Sequence, residues 1–118
     1  MKNTIDLESI RQELQQYESR LISFRKTVHE NPEVGFNTQD TLARIKSTLE
    51  EFGIPGLDTE TSPGSGFLLI EGNRPGATVA LRADIDALPI EEKSGCAWAS
   101  QNGSAHSCGH DGHQTWLI

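Results

Sequence analysis

Eight consecutive residues near the end of the chain, His106-Ser107-Cys108-Gly109-His110-Asp111-Gly112-His113, hold three of its four histidines and one of its two cysteines. No other stretch restricts the fold so tightly. Imidazole and thiolate are the preferred ligands of zinc and its first-row neighbours, so the rest of the chain has to deliver this turn to an ion. Gly109 and Gly112 have no Cβ, which lets the backbone turn sharply and approach an ion closely. Cys108 and His110 are two apart and face the same side of an extended segment, which suits one ion or one each of a close pair. Asp111 is a further oxygen ligand or an acceptor for an imidazole N–H. A small structural-zinc module competes with this reading. Such a site needs four protein ligands, commonly from C-x-x-C and spaced histidine pairs. The chain has no C-x-x-C, Cys96 lies at no useful spacing, and His106, Cys108, His110 and His113 would crowd in one short loop. A site with an open position fits better.

The chain has 118 residues, enough for one small domain with a modest core. A formal charge of −7 argues against nucleic acid and anionic membranes as partners. There is no apolar run of membrane-spanning length, and Met1 to Asp6 contains no signal-peptide core, so a cytoplasmic protein is expected. In a reducing compartment, with one cysteine inside a histidine cluster, a metal thiolate is favoured over a disulfide.

From about Asp6 to His29 the spacing of Ile10, Leu14, Tyr17, Leu21, Phe24 and Val28 predicts one amphipathic helix, capped by Thr4 or Asp6 and ended by Asn31-Pro32. His29 reads as a cation favoured by the helix C-terminus more readily than as a ligand. Glu33 reads as surface or as a loop anchor, and Phe36 as packing back on the core. Leu42, Ile45, Leu49 and Phe52 predict a second helix from Thr38 to Phe52, capped by Asn37 or Thr38 and stopped by Gly53. A short strand is expected near Asp58–Thr61. Residues 66–71 and 77–83, joined by Gly72-Asn73-Arg74-Pro75-Gly76, predict an antiparallel hairpin apolar enough to be covered on both faces. Helix, helix, hairpin and then a site at a strand end make an α/β plan.

The second predicted strand runs into Asp84-Ile85-Asp86-Ala87-Leu88-Pro89-Ile90. Ligand sites in open α/β sheets gather beyond the carboxyl ends of strands, and acids at i and i+2 share one side of an extended chain. Alone this is as readily an acidic turn before a proline; the ligand-rich turn downstream tips it toward function. Glu91-Glu92-Lys93 reads as surface. Residues 94–104 read as an irregular loop with Trp98 as its anchor.

Three motifs in this order resemble a known family. Arg25-x-x-x-His29-x-x-Pro32-Glu33-x-Gly35-Phe36, Leu81-Arg82-Ala83-Asp84-Ile85-Asp86-Ala87-Leu88-Pro89-Ile90 and His106-x-Cys108-Gly109-His110-Asp111-Gly112-His113 are similar to the metal-dependent N-acyl-amino-acid amidohydrolases. That family includes hippurate hydrolase, N-acetyldiaminopimelate deacetylase and the indole-acetyl-amino-acid hydrolases, within the wider carboxypeptidase-like zinc peptidases. The resemblance implies a helix-flanked mixed-sheet catalytic domain that hydrolyses N-acyl amino acids to a carboxylate and a free amino acid. It implies one or two divalent ions, zinc or manganese, with cobalt or nickel as further choices. Cys108 and His110 match metal ligands and Asp86 an active-site aspartate that orients a ligand or catalytic group. Asp84 falls where more distant relatives have a metal-binding histidine. Asp111 and His113 would support the ligands from behind, and His106 stands beside them.

The resemblance also places the catalytic glutamate, the remaining ligands and a smaller dimerisation domain beyond position 118. Asp111 is a good N-cap for a helix starting at Gly112 or His113, whose first buried turn would be Trp116, Leu117 and Ile118. Residues 1–118 are therefore expected to be the N-terminal portion of a catalytic domain, inactive alone, from a protein that is a homo-oligomer when intact. The alternatives are a truncated non-catalytic metal-binding remnant and the structural-zinc module.

Overall fold

The computed structural model describes residues 5–118. Its four helices are α1 (Leu7–Gln15), α2 (Glu18–Glu30), α3 (Gln39–Glu51) and α4 (His110–Leu117). The single helix expected from Asp6 to His29 is thus two. The apolar stripe is continuous in sequence, but only its second half finds a partner. Phe24 and Val28 of α2 are buried, whereas α1 buries no residue and leaves Ile10 and Leu14 exposed. Tyr17, at the break, stacks its ring against Phe52 at the end of α3, with centroids 4.7 Å apart. Asp6 caps α1 by accepting the Glu8 amide at 3.1 Å; Thr4 lies outside the described residues.

Glu33 is a loop anchor with a defined task. Its carboxylate accepts the Asp40 and Thr41 amides at 3.2 and 2.5 Å, which satisfies two orphan donors at the start of α3. The expected caps, Asn37 and Thr38, do not perform it. Thr38 is buried and donates its hydroxyl to the Gly64 carbonyl at 2.9 Å instead. Gly53, at φ +79°, follows α3 as its stop.

Phe24, Val28, Ile45 and Leu49 form the core, with Ile54, Leu57, Leu68, Ile85 and Ile118 packed around it. Phe36 is not part of it; its side chain is exposed. Its backbone is what packs. Gly64 (φ +74°) lies so close that a Cβ there would stand 2.6 Å from the Phe36 carbonyl oxygen.

The expected hairpin does not form among the described residues. No backbone hydrogen bond joins 66–71 to 77–83, and Phe67, Leu69, Ile70, Val79 and Leu81 are 62–78% exposed. A two-stranded sheet is marginal without a layer to pack on, and these five side chains stay exposed among the described residues. Pairing is confined to three isolated bridges: Asp58 with Phe67, Leu88 with Ala105, and a parallel one between Val34 and Ala87. The short strand expected near Asp58–Thr61 is reduced to the first of these, a single bridge. The other two position the site. Ala87 donates to the Glu33 carbonyl at 2.7 Å, and Leu88 and Ala105 exchange hydrogen bonds of 3.0 and 2.9 Å. These hold residues 84–88 against the turn that opens α4.

Candidate metal centre

The turn closes through Gly109, in the left-handed region at φ +77°, and α4 begins at His110. The helix therefore starts earlier than expected, and Asp111 is not its N-cap. The Asp111 side chain lies in the first turn and faces inward, 1% exposed. His110 is oriented by Asp86. Its Nδ1 lies 2.7 Å from the Asp86 carbonyl oxygen and 3.2 Å from Asp86 Oδ1. A carbonyl oxygen only accepts, so Nδ1 carries the proton and Nε2 keeps its lone pair in the neutral ring. Nε2 stands 3.9 Å from Asp84 Oδ2. The His113 ring lies 5.5 Å from the His110 ring, and Trp116 stacks 5.7 Å beyond it. The Arg82 guanidinium, bonded to Asp84 at 2.7 Å, holds that carboxyl below its usual value, and His110 and His113 add to the effect. Cys108 is exposed and free. Asp84, Asp86, His110 and His113 are thus brought together, with the Cys108 thiol open to solvent two residues away.

A second cluster lies behind α4, and sequence reasoning missed most of it. His29 of α2 places Nδ1 2.8 Å from Asp111 Oδ2 and Nε2 2.8 Å from Glu92 Oε1. Both partners are carboxylates, so both ring nitrogens donate and the ring is an imidazolium. Burial alone would lower its pKa; the hydrogen bonds and charges of Glu92 and Asp111 outweigh burial and raise it. Glu92, expected at the surface, has a side chain only 7% exposed. It accepts the Ser94 hydroxyl and the Ser100 amide, each at 2.6 Å, and these with His29 hold its pKa down to about 2. Burial pushes the Asp111 carboxyl up, but His29 and Arg25, whose Nε is 3.2 Å away, bring it below its ordinary value. Trp98 anchors its loop as expected: the Lys26 ammonium sits 4.3 Å from the ring centroid.

Cys96 joins this second cluster. Donor atoms of His29, Glu92 and Cys96 lie within 4.8 Å of one another, the one such group of three or more among the described residues. It is a poor metal site. His29 has no lone pair left on either nitrogen, and Glu92 is already saturated by hydrogen bonds. His106, whose ring lies 6.5 Å from that of His29, is buried with no partner on either nitrogen. Burial pushes its pKa down and keeps it neutral.

The model of peptidase family M20/M25/M40 matches residues 80–118, the stretch carrying Asp84, Asp86, Cys108 and His110. A thermostable carboxypeptidase of Saccharolobus solfataricus is 38% identical over 113 residues, 95% of this chain and 29% of its own. The chain belongs to this family. The N-acyl-L-amino acid amidohydrolase of Geobacillus stearothermophilus is likewise 38% identical, over 94% of this chain and 30% of the relative. A solved dinuclear metal-binding peptidase of the M20 family from Bacillus subtilis superposes with a TM-score of 0.77 at 37% identity, covering 86% of this chain and 28% of that one. The described residues are therefore folded like the corresponding part of an M20 peptidase. The chain spans under a third of the length of these relatives.

Proposed function

We propose that residues 1–118 are the N-terminal portion of the catalytic domain of a metal-dependent hydrolase. Its reaction would be cleavage of the amide bond of an N-acyl amino acid, giving a carboxylate and a free amino acid. The observation that carries this is His110. Asp86 accepts the Nδ1–H hydrogen bond and leaves the Nε2 lone pair 3.9 Å from Asp84 Oδ2, with a free thiol two residues away; carboxylate, imidazole and thiol suit a divalent cation by their chemistry, and their donor atoms would have to draw together to hold one. Relatives named amidohydrolase and deacetylase support the substrate class. The neighbour described as dinuclear supports one or two ions, zinc or manganese by the chemistry of the donors.

Cys108 and His110 are the proposed ligands, and Asp86 fixes the tautomer and direction of His110. Asp84 supplies negative charge beside the ion, the His113 ring lies against that of His110, and Asp111 secures the helix turn behind it. A bound ion would supply Lewis-acid polarisation of the amide carbonyl and a more acidic water. The chain's own glutamates do not complete the machinery. Glu91 is exposed, and Glu92 is committed to three donors and too weakly basic to collect a proton. The 118-residue chain should therefore show no measurable hydrolysis of hippurate or N-acetyl amino acids with zinc or manganese added. The whole protein is proposed to be an active homo-oligomer.

Titration calorimetry with zinc tests the assignment. Binding should weaken as pH falls and release protons, because the ligands must be deprotonated. Cys108→Ser should lower affinity far more than Cys96→Ser; equal affinities would refute the ligand set.

A further inference from the structure

We propose that His29 is a positioning residue: a cation that fixes the start of α4, and with it His110, by holding Asp111 and Glu92 on its two ring nitrogens. This rests on the metal assignment above and extends it to a residue on another helix. Both bonds are 2.8 Å, and both acceptor side chains are nearly buried, 1% exposed for Asp111 and 7% for Glu92. Asp111 has no comparable substitute for His29. Asp111 Oδ1 has no partner, so Oδ2 carries the whole load. Its other partner, Arg25, is longer at 3.2 Å and has a half-exposed side chain. Glu92 in turn ties down its loop through Ser94 and the Ser100 amide. One imidazolium thus links α2, α4 and the 92–100 loop, where a neutral ring would leave one carboxylate facing a lone pair.

The groups facing His29 are Asp111 and Arg25, which meets the same carboxylate, from the two helices, Glu92 and Cys96 from the loop, and the neutral ring of His106. The alternative use of the cluster, a cation on His29, Glu92 and Cys96, would require His29 to give up a proton. The two uses make opposite predictions.

The first readout needs no metal and no variant. Exchange of the C2 hydrogen of each histidine, followed by mass spectrometry across pH, reports the charge on each ring. The His29 midpoint should lie above the ordinary imidazole value of about 6.5; a midpoint at or below it would overturn the proposal. The second uses Co²⁺ and its thiolate absorption on the 118-residue chain. His29→Gln, with one donor group, cannot bridge both carboxylates and should weaken Co²⁺ binding by about tenfold to a hundredfold, the usual effect of losing a group that orients a ligand. If His29 acts through Asp111, His29→Gln combined with Asp111→Asn should bind little worse than either alone. Wild-type affinity in His29→Gln, or losses that simply add, would overturn the role. Binding lost in Cys96→Ser but kept in Cys108→Ser would assign the cation to the other cluster. If the unsubstituted chain fails to take up Co²⁺, the metal assignment and the positioning role fall together, while the exchange midpoint still decides whether His29 is a cation.

Discussion

Phe67, Leu69, Ile70, Val79 and Leu81 are large apolar side chains, each more than 60% exposed. Burying a side chain of this kind is worth roughly 1.5–3 kcal/mol. Together the five forgo an amount comparable to the whole stability of a domain, about 5–15 kcal/mol. The radius of gyration agrees: 16.1 Å, against about 13.5 Å for a compact chain of this length. The isolated chain should therefore self-associate through these side chains and bind a hydrophobic dye. Leu69→Glu with Val79→Lys removes two of the five apolar groups, at least about 3 kcal/mol by the same scale. Association should weaken by about a hundredfold or more. Sedimentation velocity over a wide range of loading concentrations measures this directly, with dye fluorescence in parallel. A chain that stays monomeric throughout, binds no dye and melts cooperatively would refute the reasoning. So would unchanged association of the double variant.

Two further outcomes are local and are read by amide exchange. Glu33→Ala should remove the side-chain cap of α3, worth about 1–2 kcal/mol, so that exchange at Asp40 and Thr41 quickens about five- to thirtyfold; unchanged exchange would mean that the carboxylate does not cap the helix. The ion-pair cluster should have a pH window. Glu92 is depressed to about 2 from an ordinary 4.5, so its contribution is full above 4.5 and is lost as pH falls through about 2. His29 is raised, so its contribution is full below 6.5 and is lost as pH rises through the raised value. Protection of the Ser100 amide, corrected for intrinsic rate, should follow that window; protection already lost at pH 4.5 would contradict it.

The helices were legible because their apolar residues recur at helical spacing and because Gly53 and Pro32 punctuate them. The break at Tyr17 was not legible: periodicity does not say where along a stripe the partner stops. Val79 and Leu81 looked like strand residues for good local reasons, but a strand needs neighbours, and pairing is not a local property. The turn at His106–His113 announced itself by ligand density. The cluster behind it did not, because Arg25, His29, Glu92 and Cys96 are scattered in the sequence and meet only where α2 packs against α4 and the 92–100 loop. Reading His29 as a cation survives in kind, yet the helix terminus was the smaller reason for it. Glu92 looked like one charge in an acidic run; nothing in Glu91-Glu92-Lys93 says which of them turns inward.

The pairing of His29 with Asp111 joins residues 82 positions apart, and that of Arg25 with Asp111 spans 86. Closing so long a loop costs entropy before any contact repays it. The helices on the N-terminal side can form from local contacts while the chain is still emerging from the ribosome. Until Asp111 emerges, His29 and Arg25 have no second anion from α4 and remain hydrated charges on the surface of α2. The turn holding Cys108 and His110 therefore acquires its shape only after α1, α2 and α3 have been made. Nascent chains stalled short of Asp111 would carry a formed α2 and no site.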